Sequence, residues 1–134
     1  MQPAPIVPDP TPTSQPFWDG LARGEVMLQH CDDCGEWVYY PRAFCSKCLS
    51  ANMTWTEISG EGTLYTFTVA RQPTTPAFAE VGVQMLAVIE LDEGPKVTTT
   101  IENAAEEDLV IGARVRPVFA PTSGDVTLLR YELA

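Results

Sequence analysis

CDDCGEWVYYPRAFCSKC, residues 31–48, holds every cysteine of the 134-residue chain, as two Cys-x-x-Cys pairs separated by ten residues. A Cys-x-x-Cys turn offers two thiolates to one ion while its backbone N–H groups face the sulfurs. Two such turns supply the four soft, tetrahedral donors of a closed structural zinc site. WVYYPRAF, with Pro41, is long enough to fold back as a hairpin and bring the pairs together. Cys31, Cys34, Cys45 and Cys48 are therefore the expected ligands of a structural zinc ion. Unbridged core cysteines and two disulfides are the alternatives.

The first pair, CDDCG followed by Tyr39, also resembles the iron-binding turn of rubredoxins. The second, CSKCLS, lacks the glycine that rubredoxins place after the last cysteine. A closed all-thiolate zinc site does no redox chemistry. Zinc is the expectation, and an iron-loaded electron carrier the alternative. Either metal would staple a module of roughly 35 residues, too small to bury a sufficient core alone.

The rest of the chain has room for one ordinary domain or two very small ones. A hydrophobic fraction of 45% with 19% charged residues is that of a globular protein, and no apolar run approaches the roughly 20 residues of a membrane span. The N-terminus has neither the basic nor the apolar region of a secretory signal, so a cytoplasmic protein is expected, where paired cysteines are metal ligands more often than disulfides. A formal charge of -10 and only eight scattered basic residues argue against nucleic acid as a partner.

Residues 1–13 form a proline-rich arm expected to be disordered. In residues 14–52 a short helix leads into the cysteine segment: Ser14 suits an N-cap, Pro16 the first turn, Phe17, Trp18 and Leu21 share one side, and Gly24 stops it. EVMLQH (25–30) follows as a strand. Residues 53–134 change to period two. Strands are predicted at 62–71, 84–92, 96–101, 114–119 and 126–133, with Tyr65, Phe67 and Val69 on one face of the first. DEGP (92–95) reads as a tight turn and NAAEEDLVIG (103–112) as a capped helical turn. Three strands, a short helix and two strands is the order of an OB-fold barrel, although other five-stranded barrels and sandwiches share it. The expected architecture is mainly β: an N-terminal helix, a rubredoxin-like zinc ribbon, then an OB barrel.

No catalytic set is evident. His30 is the one histidine and precedes a presumed metal ligand, so a nucleophile–base pair has nothing to build on. The acidic pairs at Asp32–Asp33 and Glu106–Asp108 suit a turn and a helix start. Tyr65, Phe67 and Tyr131 could stack bases on an OB surface, but their alternation suits a core. The loop PTTPAFAEVG (73–82) carries Phe78 and one charge, and reads either as a binding loop or as a plain hairpin connection.

FWDGLARGEVMLQHCDDCG, CSKC, GEGTLYTFTV, PAFAEV, VIELDEGPKV and IGARVRPVF, in that order over about residues 15–133, resemble the acyl-CoA-associated family in which a rubredoxin-like zinc ribbon precedes an OB-fold. The resemblance implies a noncatalytic accessory subunit, bound to a thiolase-superfamily subunit that carries the catalytic residues. The complex would act on coenzyme A thioesters, cleaving or forming carbon–carbon bonds by thiolysis or retro-aldol reaction, as in steroid side-chain or aromatic degradation. Phe17, Trp18 and Leu21 are the residue types that dominate interfaces, unless the helix packs on its own barrel. The OB portion would help form the acyl-CoA channel, with Arg71 and Phe78 as its candidates here. Leu49 stands where family ribbons often carry glycine. From outside this class, a freestanding OB-fold ligand-binding or nucleic-acid-binding module is the rival.

Overall fold

The computed structural model describes residues 7–72, 76, 82–122 and 124–134. Phe78, most of the 73–82 loop and the first six residues of the arm lie outside the described residues. Helix α1 (Gln15–Ala22) begins where Pro16 occupies a first turn in which its missing N–H has no partner to lose. Ser14 sits at the N-cap, yet it does not bond forward to the helix. Its own backbone is already helical (φ -91°, ψ -9°), which points the side chain away from the helix N–H groups. The buried hydroxyl instead accepts hydrogen bonds from the Thr11 N–H at 2.9 Å and the Thr11 hydroxyl at 3.0 Å. The capping role falls to the Thr11 carbonyl, which accepts the Gln15 N–H at 2.8 Å. Gly24 ends the helix as expected, at φ +80°, a left-handed conformation that costs glycine nothing.

Three strands form the ribbon sheet: β1 (Val26–Cys31), β2 (Trp37–Val38) and β3 (Met53–Ile58), in the order β2-β1-β3. β1 and β3 pair antiparallel from Val26 opposite Ile58 to Cys31 opposite Met53. The strands that flank the cysteine segment in sequence thus zip together beneath it. Met53–Ile58, where the period-two pattern starts, hydrogen-bonds to β1 and precedes the barrel.

The five predicted strands all form: β4 (Gly62–Ala70), β5 (Gln84–Leu91), β6 (Lys96–Thr100), β7 (Arg114–Pro121) and β8 (Thr127–Leu133), in the order β6-β5-β4-β7-β8. A parallel bridge between Ile101 and Tyr131 joins the two outer strands. The Glu102 N–H donates to the Tyr131 carbonyl at 2.7 Å, and the Thr99 hydroxyl to the Leu129 carbonyl at 2.9 Å. These contacts close the sheet into a five-stranded OB barrel. The expected turn at 103–112 is a single 3-10 turn, Glu106–Asp108, in which the Asp108 carboxylate accepts the Ala105 N–H at 3.0 Å.

One face assignment is corrected. A bulge between Leu64 and Thr66 interrupts the alternation of β4, so Leu64 is fully buried and Tyr65 swings out to 52% exposure while Phe67 still packs on the core. One extra residue flips the strand's inside and outside at that point.

A single core runs through helix, ribbon and barrel. Phe17, Leu21, Val26, Leu28 and Ile58 pack with Leu64, Ile89, Val97, Ile101, Val115 and Tyr131. Phe17 and Leu21, expected at a partner surface, are 2% and 1% exposed. The alternative reading of the helix holds for them: α1 lies on β1, β7 and β8, and each of these side chains gains about 2 kcal/mol of burial there. Gly60, between β3 and β4, sits at the junction with φ +76°; a Cβ there would lie 2.7 Å from Val26 Cγ2 and 3.1 Å from Pro117 Cγ. The Tyr131 hydroxyl donates to the Gly60 carbonyl at 2.6 Å, tying the last barrel strand to the end of the ribbon. Among the described residues, no helix is long and apolar enough to cross a membrane.

Candidate metal centre

β1 delivers Cys31 to the start of the first turn, and the same hydrogen-bond pattern builds both turns. The Cys31 N–H donates to the Glu36 carbonyl at 2.8 Å and the Gly35 N–H to the Cys31 carbonyl at 2.9 Å. In the second turn the Cys45 N–H donates to the Ser50 carbonyl at 2.8 Å and the Leu49 N–H to the Cys45 carbonyl at 2.9 Å. The turns are near copies, down to the left-handed residue after the second cysteine: Gly35 has φ +79° and Leu49 φ +64°. The geometry at Leu49, open from sequence, is therefore that of a glycine turn imposed on a leucine.

The four sulfurs lie within 4.8 Å of one another, with Cys31 Sγ 3.5 Å from Cys48 Sγ and Cys34 Sγ 3.6 Å from Cys45 Sγ. A tetrahedral zinc–thiolate site has Zn–S bonds of about 2.3 Å, which sets sulfur–sulfur edges of about 3.8 Å. The donor set and its spacing fit zinc. All four thiols are free. Cys31 and Cys45 are buried, Cys34 and Cys48 exposed.

The turns supply unequal electrostatics. Backbone N–H groups of Cys48 and Lys47 aimed at Cys45 lower its thiol to about 7. At Cys34 the Glu36 N–H acts in the lowering direction, but desolvation and the three neighbouring thiols outweigh it and push the group up to about 12. Crowding sulfurs in this way favours an ion that neutralises them.

Acidic residues of the first turn stitch it to the chain beyond the second. The Asp33 carboxylate accepts from the Ser50 hydroxyl and from Asn52 Nδ2, and these two bonds hold its pKa below the usual aspartate value. Asp32 accepts from the Thr54 hydroxyl at 2.7 Å. Opposite them, buried Gln29 clamps the hairpin: its Nε2 donates to the Arg42 carbonyl and its Oε1 accepts the Arg42 N–H, both at 2.8 Å. Nothing in the sequence singles out Gln29, because its role depends on where residue 42 returns.

The other sequence-predicted residues fall elsewhere. Trp18 is half-buried, meets Phe17 edge-on at 5.0 Å and donates its indole N–H to the Tyr40 hydroxyl at 3.3 Å. His30 lies against Trp37 at 4.6 Å, its cross-strand neighbour. Arg71 is held bidentate by Glu106 at 2.7 and 2.8 Å on the surface. Tyr39 packs against Phe17, and burial followed by the Tyr40 charge raises its phenol to about 12.

A four-thiol ribbon sharing one core with a closed five-stranded barrel defines a class, the rubredoxin-like zinc ribbon joined to an OB-fold. Residues 18–54 match the rubredoxin-like zinc ribbon domain of ChsH2, and residues 55–120 its C-terminal OB-fold domain. The chain belongs to this ChsH2-type, DUF35-containing family, as the sequence resemblance implied. It is 35% identical over 105 residues to a DUF35 domain-containing scaffold protein of Methanocaldococcus jannaschii, an alignment covering 75% of this chain and 73% of the relative. It is 28% identical to the 3-oxo-4,17-pregnadiene-20-carboxyl-CoA hydratase alpha subunit of Mycobacterium tuberculosis, over 77% of this chain but 32% of that one. The chain thus spans about a third of the hydratase subunit's length. The solved structure of an Ltp2-ChsH2(DUF35) aldolase superposes with a TM-score of 0.82 at 24% identity, covering 95% of this chain and 98% of that one, and shares its fold.

Proposed function

We propose that this protein is a noncatalytic accessory subunit of an enzyme acting on acyl-CoA thioesters, with one structural zinc ion held by Cys31, Cys34, Cys45 and Cys48. The observation that carries the reading is the family relationship, in particular to a protein described as a scaffold along 73% of its length. The geometry is in keeping with it. The four thiols converge on one point, and His30 is stacked against Trp37, so the groups that could have served as nucleophile and base are occupied in structural roles.

The catalytic partner in this reading is a thiolase-superfamily subunit, and the reaction carbon–carbon cleavage by thiolysis or retro-aldol chemistry on a steroid-derived or aromatic acyl-CoA, in the cytoplasm. The steroid class is supported by the name of the mycobacterial relative, whose hydratase activity belongs to a chain about three times longer. Of the helix residues, Trp18 is left to meet a partner, since Phe17 and Leu21 are committed inward. Arg71 reaches a coenzyme A phosphate only by releasing Glu106, a bond between two exposed side chains that costs little to break. Phe78, outside the described residues, is the second channel candidate that the family resemblance implies.

The test is to tag the protein in its native host, identify the copurifying chains by mass spectrometry and assay metal in the same sample. A near-stoichiometric thiolase-like chain with about one zinc per subunit is the expected result. A monomer without such a partner sinks the accessory-subunit reading, and bound iron in that monomer moves electron transfer to the front.

A further inference from the structure

Leu49 is doubly unfavourable within its own chain. Its φ of +64° is a left-handed conformation that L side chains rarely hold, and its side chain is 75% exposed, so the strain is matched by no burial. The twin turn shows the unstrained solution, Gly35 at φ +79° with the same hydrogen bonds. Leu49 thus strains the backbone with little packing on its own chain to offset the strain, and a contact outside the chain would supply what is missing.

Phe44, 57% exposed, leaves the chain beside it. The Cys45 N–H bonds to the Ser50 carbonyl and the Leu49 N–H to the Cys45 carbonyl, so the 44–45 and 49–50 backbones run side by side. The prong is rigidly mounted: the metal turn holds one end and the Gln29 side chain grips the Arg42 backbone at the other. Pre-organisation of this kind lowers the ordering cost of association. Its charge also sets it apart. In a chain of net charge -10, residues 42–47 hold two cations, Arg42 and Lys47, and no carboxylate of their own, while on the Leu49 side the Asp33 carboxylate is engaged by Ser50 and Asn52. Lys47 reaches Glu36 at 3.5 Å, with both side chains largely in water.

We propose that Phe44 and Leu49 form an apolar docking prong, flanked by Arg42 and Lys47, that seats in an apolar recess rimmed by carboxylates on the catalytic subunit. This rests on the accessory-subunit reading and adds to Trp18 a second surface through which the two subunits meet. A symmetric pairing of prongs between two copies of this chain is the poorer match, because Arg42 and Lys47 of each would face those of the other. An anionic membrane is opposed by the charge of the rest of the chain.

The experiment uses the full-length protein and the purified enzyme subunit that copurifies with it. Thermal melting and surface-based binding kinetics are measured for wild type, Leu49→Gly, Phe44→Ser and Arg42→Glu. Leu49→Gly is expected to raise Tm by about 2–4 °C through relief of the left-handed strain, and yet to weaken the complex about tenfold or more. Phe44→Ser leaves Tm within about 2 °C and weakens the complex similarly. Arg42→Glu acts mainly on the association rate and its salt dependence. Unchanged affinity in both Leu49→Gly and Phe44→Ser overturns the prong while leaving the accessory reading intact; failure of any enzyme subunit to copurify overturns both. A fall in Tm for Leu49→Gly shows that Leu49 supports its own fold and removes the argument's basis. Cosedimentation of the wild type with phosphatidylserine-containing vesicles, lost in Phe44→Ser, assigns the prong to a lipid surface and overturns the proposed partner.

Discussion

Removal of one oxygen, in Tyr131→Phe, measures how tightly ribbon and barrel are joined. Tyr131 is fully buried, and its hydroxyl donates at 2.6 Å to the carbonyl of Gly60, itself buried in the turn between β3 and β4. Burial raises the phenol well above its ordinary pKa, so the hydroxyl is a proton donor at every accessible pH. The substitution keeps the ring and its packing but leaves a buried carbonyl without its partner, at a cost of about 1–3 kcal/mol. For a chain of this size about 2 kcal/mol corresponds to a fall in Tm of about 7 °C. Tyr65→Phe is the control: Tyr65 is 52% exposed on its bulge, and its hydroxyl should be worth less than about 0.5 kcal/mol. Urea denaturation of both variants, with unchanged m-values, gives the comparison. If Tyr131→Phe loses no more stability than Tyr65→Phe, the Gly60 carbonyl is satisfied in some other way and the hydrogen bond is not what couples the two sheets.

The other expectations concern the barrel, the metal and acid. Gly62→Ala drives a methyl into the Glu90 carbonyl and to 2.8 Å from Ile89 Cγ2; main-chain atoms cannot yield, and a loss of about 3 kcal/mol in chemical denaturation is expected. Cys31→Ser should abolish metal binding by elemental analysis and collapse the ribbon's near-ultraviolet circular dichroism, lowering enzyme activity only through lost assembly; a variant that stays folded and assembled without metal contradicts the staple. Asp92 is held below its ordinary pKa by hydrogen bonds from Arg114 at 2.8 and 2.9 Å, so its carboxylate favours the folded state above the unfolded pKa, and that benefit fades as pH falls through the depressed folded value. The stability gap between wild type and Asp92→Asn should therefore be full at neutral pH and close below about pH 4, while metal release affects both proteins alike. A gap that persists into strong acid refutes this assignment.

Most of the architecture was legible because it follows from local rules. The four cysteines are their own signal, and β4 to β8 announce themselves by alternation and by turns such as DEGP. What the sequence hid is set at a distance. Tyr65 looked inward because period two was applied across a bulge, and a single extra residue is invisible until Leu64 and Phe67 are both found packed on the core. The period-two pattern that starts at Met53 does not single out MTWTEI as a strand or name its partner, because that partner, β1, lies on the far side of both cysteine pairs. β2, two residues long, is too short to leave a pattern. The helix face bearing Phe17 and Leu21 is apolar whether it meets another protein or its own barrel, and burial decides between them. At the metal centre the ligands could be read directly, whereas the supports, Gln29 gripping Arg42 and Asp33 tied to Ser50, are pairings that only the folded hairpin creates.

The pairing of β1 with β3 governs how such a protein can be cut and recombined. A fragment ending just after the last cysteine would keep every metal ligand and discard the strand that runs along all six residues of β1, exposing a raw edge of the kind that invites aggregation. A ribbon transplanted from one relative to another has to travel with its return strand, and the natural splice point is the Ser59–Gly60–Glu61 link. Even there the graft must keep a glycine at 60, because the incoming barrel brings a proline ring and a tyrosine hydroxyl that meet that one residue.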